Sequence, residues 1–346
     1  MSFAARLIAW QKEHGRHNLP WQVSDPYRVW LSEIMLQQTQ VTTVIDYFQR
    51  FTTRFPDVAS LAGAELDDAL AQWSGLGYYS RARNLHRAAQ MVMDRFGGAF
   101  PADPVLLAEL PGVGRSTAAA ISAFSFGARA AILDGNVKRV LTRWAGIEGH
   151  PGIKAIENRL WTLAESLLPD SDISAYTQGL MDLGSTICTP KKPACLNCPM
   201  HFDCQARLTG RQTELPTPKP KKSIPERHTV LLLIAQEGRI LLERRPPTGI
   251  WGGLWSLPEA PDTLSAEALC RVRFGLEVEF DPPQADFTHV FTHFRLQITP
   301  LPGLAHNDGV LLNEADTGWF TRDVALTLGL PAPIRKILLG HTSTTY

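Results

Sequence analysis

Four of the five cysteines, Cys188, Cys195, Cys198 and Cys204, fall within one 17-residue stretch with the spacing Cys-x6-Cys-x2-Cys-x5-Cys. Four thiolates in so short a loop can enclose a tetrahedral zinc ion or a cuboidal iron–sulfur cluster. Zinc ribbons commonly use two Cys-x2-Cys knuckles, and here a single pair has that spacing. In a secreted miniprotein such a cluster would read as disulfides; in a chain of 346 residues with no apolar signal core, metal ligation is the better reading. A closed four-cysteine site leaves no open coordination position. Its task is then to hold the loop, with Lys191 and Lys192, in shape. The fifth cysteine, Cys270 in "EALCRVRF", reads as a buried helix residue.

A second chemical signal is "LPGVGRST" at 110–117. Gly112 and Gly114 allow a sharp turn and a close approach of backbone to another chain. The unpaired N–H groups of the helix that follows suit a phosphate oxygen, aided by the helix dipole. A nucleotide P-loop would need Gly-x4-Gly-Lys-Ser/Thr, which is absent, and the context is helical. On its own the stretch is more commonly a plain interhelical turn. Two carboxylates invite acid–base chemistry. Glu33 sits amid Trp30, Leu31, Ile34, Met35 and Leu36, where burial would raise its pKa and keep it protonated. Read from the residues alone, an exposed helix glutamate is the favoured reading. Asp134 ends the run "AAIL" before "GNVKRV" and reads as an N-cap, a position that favours the ionised form.

The elements that must hold these residues divide into two kinds. Apolar positions recur at helical spacing in 3–11, 29–51, 79–96, 115–126, 135–145, 153–168 and 173–187, separated by turn signals such as "NLPW", "SGLGYY" and "LDGN". After the cysteines, "LPTPKPKKSIPE" is rich in proline and lysine and reads as an extended linker. Beyond it, "RHTVLLLIAQEGRILLERR" predicts two strands joined at Glu237-Gly238, "ADFTHVFTHFRLQITPL" alternates in a similar way, and short helices fit 265–274 and 332–340. The expected fold class is therefore a mainly α region, residues 1–214, then a linker, 215–225, then an α+β domain, 226–346.

Composition, with 44% hydrophobic and 20% charged residues, argues against disordered and fibrous classes, and no apolar run reaches membrane-span length. A cytoplasmic, nucleoid-associated monomer is the expectation. Net charge is zero overall, but residues 1–225 carry 24 basic against 20 acidic side chains (+4), and the remainder 10 against 14 (−4). Any anion-binding surface therefore belongs to the first part.

The 6-2-5 cysteine loop, the "LPGVG" turn and an aspartate some twenty residues later occur together in an order that resembles the endonuclease III (helix–hairpin–helix) superfamily of DNA glycosylases. The segment "PWQVSDPYRVWLSEIMLQQTQVTTVIDYF" at 20–48 further resembles the MutY-type adenine DNA glycosylases. That resemblance implies base-excision repair acting on double-stranded DNA, removing adenine mispaired with 8-oxoguanine or guanine. It implies a [4Fe–4S] cluster on Cys188, Cys195, Cys198 and Cys204, and leaves open a monovalent cation at the hairpin. It implies Glu33 as catalytic acid, Asp134 as the charge that stabilises the sugar cation, and Asn136 as an orienting group. Ser116 stands where the bifunctional branch carries a Schiff-base lysine, which implies an enzyme that removes the base without cutting the strand. The loops "LQQTQ" and "GLGYY" resemble the family's gap-side loops. Gln38 and Tyr78 then wedge beside the orphaned base, helped by Thr39 and Leu76, while Arg28 and Gln37 line the adenine pocket. Gly112 and Gly114 would grip a backbone phosphate.

The stretch "LLERRPPTGIWGGLWSLPE" resembles the Nudix fold, but the Arg-Glu-x2-Glu-Glu core of the catalytic box is missing, which argues against pyrophosphatase chemistry. In the adenine glycosylases this domain reads 8-oxoguanine with a Phe-Ser-His loop, matched here by Phe291, Thr292 and His293. Threonine keeps the hydroxyl and adds a methyl. Two rival readings, a bifunctional endonuclease III and an inert DNA-binding module, are opposed by Ser116 with the second domain and by the presence of both carboxylates.

Overall fold

The computed structural model describes residues 1–219, 224–306 and 316–340. Within the expected linker, residues 220–223 therefore lie outside the described residues. The chain forms two compact units, one of residues 1–63 with 84–221, the other of residues 64–83 with 222–346. The first is built of helices. The second adds a sheet. The short segment 64–83 falls within the stretch assigned to the helical domain from sequence, yet it packs with the C-terminal residues. Its helix Leu66–Trp73 buries Ala69, Leu70 and Trp73, and its Tyr79 hydroxyl donates to the Leu330 carbonyl at 3.0 Å.

In the helical unit, apolar periodicity did what it should. Phe3–His14, Gly135–Ala145 and Ile173–Asp182 each bury one face, Arg115–Phe126 is enclosed all round over residues 118–123, and Leu7, Ala120, Ile132, Leu141, Leu160 and Tyr176 meet in one core. Two departures matter. The expected helix 29–51 is two helices, Pro26–Met35 and Val41–Arg54, because residues 36–40 break out and Gln38 adopts a φ of 57°. The expected helix 173–187 ends at Asp182 and continues as one π-helical turn, Leu183–Ile187. Such wide turns often mark functional sites.

The sheet of the second unit contains β1 (Glu226–Gln236), β2 (Arg239–Arg244), β3 (Trp255–Ser256), β4 (Glu259–Ala260), β5 (Val278–Phe280), β6 (Phe287–Val290), β7 (Arg295–Ala305) and β8 (Thr317–Thr321). The main order is β3-β2-β1-β7-β5, with β4 on β1, β6 on β7 and β8 on β2. β1 and β7 run parallel, Leu232 opposite Leu301, and the other pairs are antiparallel. Because β1 is central, Val230–Ile234 is buried without alternation, as a strand covered on both faces requires. The β1–β2 turn falls on Glu237 and Gly238, both at positive φ (47° and 72°), the geometry of a tight hairpin. The helices Ala266–Phe274 and Ala332–Gly340 form where the periodicity predicts them. No described helix is long and apolar enough to cross a membrane.

Candidate active site

Glu33 lies in the helix Pro26–Met35, started by the Asp25 side chain accepting from the Tyr27 N–H at 3.1 Å, with Pro26 at its first position. The neighbours Trp30, Leu31, Ile34 and Met35 are fully buried, so the helix is packed on nearly all sides. Glu33 itself opens onto a cavity of about 550 Å3. Enclosure by this apolar surround, and secondarily the nearby charge of Asp134, push the Glu33 carboxyl up to about 8. It therefore holds its proton at neutral pH.

Asp134 caps the helix Gly135–Ala145, its carboxylate accepting from the Val137 N–H at 2.8 Å. The cap is as the sequence predicts, but its electrostatic outcome is different. Burial outweighs the N–H bonds from Val137 and Asn136 and the charge of Arg139, and moves Asp134 above the ordinary aspartate value. The two carboxyls therefore share one low-polarity region, and burial raises both. Asn136 hydrogen-bonds Asp134 and accepts from Arg139 Nη2 at 2.8 Å. Arg139 also donates to the carbonyls of Gly184 and Cys188 at 2.6 and 2.7 Å. The helix start and the π turn touch: a Cβ on Gly184 would lie 2.5 Å from Asn136 Cβ, so only glycine fits.

Ser116, in the first turn of Arg115–Phe126, accepts from the Leu133 N–H at 2.9 Å. It thus fixes the residue just before Asp134. Gly112 has a φ of 80°, and Gly114 caps the following helix with open space where a side chain would stand. The Gln37 carboxamide reaches the Gly112 carbonyl at 3.4 Å, so this residue braces the hairpin instead of lining the cavity. Arg28 is also off the cavity wall: it is exposed and 3.6 Å from Asp25 on its own helix. Gln38 is exposed at the break, with Thr39 beside it. In the second unit Tyr78 is 44% exposed at a φ of 48°, suited to present its ring, whereas Leu76 is buried. Phe291, Thr292 and His293 form the tip of the β6–β7 hairpin.

Several cavity residues escape sequence reading. Trp21, Gln22, His17 and Gln178 line it with Glu33. Gln22 is locked by accepting from the Leu19 N–H (2.9 Å) and donating to the Arg16 carbonyl (2.6 Å). Arg16 pairs with the buried Asp182 at 2.7 Å, which also accepts from Gln178 at 2.9 Å. The local signal was only a turn, "RHNLPWQ"; its partners on Ile173–Asp182 lie some 160 residues away.

Cys188, Cys195, Cys198 and Cys204 line one small hollow of about 30 Å3. Burial, with the other cysteines adding, pushes the Cys198 thiol up to about 12, and burial also raises Cys204. A donor set of four sulfurs around one hollow fits a sulfur-ligated cluster. Among the described residues no group of three His, Cys, Asp or Glu side chains is arranged to hold a single metal ion. The loop is tied down by the buried Arg143, which donates to the carbonyls of Thr189, Pro190 and Leu215 at 2.7, 2.9 and 2.8 Å and to Cys188 Sγ at 3.4 Å. Arg6 clamps Asp203 with two bonds of 3.0 and 2.6 Å.

The chain is similar to known proteins over nearly its whole length. Residues 31–166 match the HhH-GPD superfamily of base excision DNA repair proteins, and residues 229–340 match the NUDIX domain. The adenine DNA glycosylase of Buchnera aphidicola (subsp. Acyrthosiphon pisum) is 37% identical over 97% of this chain and 96% of its own. The adenine DNA glycosylase of Homo sapiens is 30% identical over 97% of this chain and 73% of its own. Among solved structures, a thermostable thymine-DNA glycosylase is similar with a TM-score of 0.55 and 29% identity, covering 60% of this chain and 95% of that one. A non-covalent endonuclease III–DNA complex shares the fold at a TM-score of 0.52 and 21% identity, with the same coverage.

Proposed function

The chain belongs to the adenine DNA glycosylases of base-excision repair, and we propose that it removes adenine mispaired with 8-oxoguanine, or with guanine, from double-stranded DNA and leaves an abasic site uncut. What supports the reading is the placement of Glu33, its carboxyl raised to about 8 by burial and by the nearby charge of Asp134, on the wall of a cavity of about 550 Å3, roomy enough for a base.

Adenine is a poor leaving group until N7 is protonated, and Glu33 holds the proton to supply. As the bond to the sugar lengthens, C1′ becomes oxocarbenium-like, and the Asp134 carboxylate stabilises or traps it. Glu33, now ionised, takes a proton from the incoming water. Asn136, itself held by Arg139, orients Asp134. Ser116 has no amine for a Schiff base, so no strand-cleaving step follows. The base must leave the stack to reach this cavity. Trp21 and Gln22 offer it a ring face and a carboxamide, while Gln38, Thr39 and Tyr78 fill the gap. Gly112 and Gly114 meet a backbone phosphate, which positions the duplex without reading sequence. Cys188, Cys195, Cys198 and Cys204 would hold a [4Fe–4S] cluster, which would supply structure to the loop bearing Lys191 and Lys192. Phe291, Thr292 and His293 read the base opposite the adenine.

The test is release of free adenine, under single-turnover conditions, from duplexes carrying adenine opposite 8-oxoguanine, guanine or thymine. The expected order is 8-oxoguanine, then guanine, with thymine inert. Equal release from all three would overturn the substrate assignment.

A further inference from the structure

Between β6 and β7 the chain reverses in four residues, Phe291 to Phe294, closed by the Phe291 N–H donating to the Phe294 carbonyl at 2.9 Å. Thr292 and His293 stand exposed at the tip, their Oγ1 and Nδ1 atoms 3.4 Å apart, while Phe294 is buried. A polar hairpin tip needs no elaborate support, yet this one has an aromatic seat. Phe291 stacks on Phe294 (centroids 4.5 Å apart, planes at 19°), and His289 meets Phe291 edge-on at 4.7 Å. Trp251 closes the seat, 5.7 Å from Phe291 and 5.9 Å from His289, and the Arg227 guanidinium covers Phe294 at 4.5 Å.

Trp251 is the unusual member. It is 7% exposed and its φ is 57°, a left-handed backbone unfavourable for a bulky side chain. Such strain persists only where surroundings over-determine it, and it gathers at functional sites. Here it delivers the indole beneath the hairpin, on the wall of a cavity of about 770 Å3 that Tyr78, Thr292 and His293 also line. 8-Oxoguanine differs from guanine by a carbonyl at C8 and an N–H at N7. A hydroxyl that can both donate and accept distinguishes the two only if its position is fixed.

We propose that Trp251, backed by His289, is a positioning residue for discrimination: it fixes the Phe291–Phe294 turn so that Thr292 and His293 meet the base opposite the adenine in one geometry. The proposal rests on the reading of this hairpin as the lesion reader. It is tested in the full chain by the ratio of adenine release opposite 8-oxoguanine to release opposite guanine, in single turnover at sub-saturating enzyme, with melting temperatures measured in parallel. Trp251→Leu should lower the ratio about tenfold, the worth of one well-placed hydrogen bond, and Trp251→Phe should restore most of it. Thr292→Val should lower it similarly, and the double variant should fall no further, because both changes remove one interaction. If Thr292→Val lowers the ratio and Trp251→Leu does not, the positioning role is wrong while the lesion reading stands. If neither changes the ratio, the lesion reading fails and takes the proposal with it. Should Trp251→Leu not fold, His289→Leu carries the test: a lowered ratio supports the role and an unchanged one overturns it.

Discussion

Replacing Glu33 by glutamine should disable the protein as a catalyst and stabilise it in alkali, and both effects follow from one property. With the carboxyl titrating at about 8, roughly nine-tenths of the molecules hold the proton at pH 7. Glutamine keeps the shape and cannot transfer a proton, so adenine release should fall by about 10²–10⁴-fold, the usual contribution of a positioned acid. The stability effect has a definite sign. The folded value lies above the ordinary 4.5, so from pH 4.5 to 8 the folded state binds more protons than the unfolded one, and stability falls as pH rises through that window. Between pH 6 and 9 this one group costs the parent about 3 kcal/mol at most, discounted for the opening to cavity water. Glutamine is exempt. Urea unfolding of both forms at pH 6 and pH 9, beside single-turnover adenine release, measures both consequences. The parent's rate should also decline above about pH 8. A variant retaining more than about a tenth of the parent rate would refute the acid assignment. A stability difference that ignores pH would refute the burial argument beneath it.

Ser116→Lys should yield an imine trappable by borohydride on lesion duplex, since the side chain stands one residue from Asp134; no trapped species would mean that this position does not face the sugar. Ser116→Ala leaves the buried Leu133 N–H without its partner, a cost of about 1–3 kcal/mol, and should lower kcat more than it raises KM. The purified protein should carry about four iron and four sulfide per chain, and Cys198→Ser should lower both together with the melting temperature; full stability with no iron would count against the cluster. A chain ending at residue 225 should melt well below the parent, because residues 64–83 lose the carbonyl of Leu330, the carbonyl of Gly252 and the Arg244 guanidinium that hold Tyr79, Arg83 and Asp67. An unchanged melting temperature would show that this segment stands without the C-terminal unit.

What was legible in the sequence was local. Periodicity found most helices, the Glu237-Gly238 turn set the first hairpin, and the Asp134 cap formed as read. Burial around Glu33 was not legible from its own residues, which favour an exposed helix glutamate; the resemblance carried it, and Trp30, Leu31, Ile34 and Met35 are buried around it. What stayed hidden depends on residues far apart in the chain. Arg16 on the cavity wall pairs with the buried Asp182, 166 positions away, and Arg143 reaches carbonyls 46 to 72 residues away. The break after Met35 was masked because apolar spacing continues across it. The net shift of Asp134 was misjudged because a cap is visible in sequence and the depth of its burial is not. Packing of 64–83 with the C-terminal residues had no local mark at all.

The most direct measurement is a strand-scission assay on a duplex bearing one adenine opposite 8-oxoguanine, with and without hot alkali. Base removal without a lyase step predicts an intact strand as recovered and a single cut at the adenine after alkali. A cut present before alkali would contradict the monofunctional mechanism, and no cut after alkali would contradict the substrate.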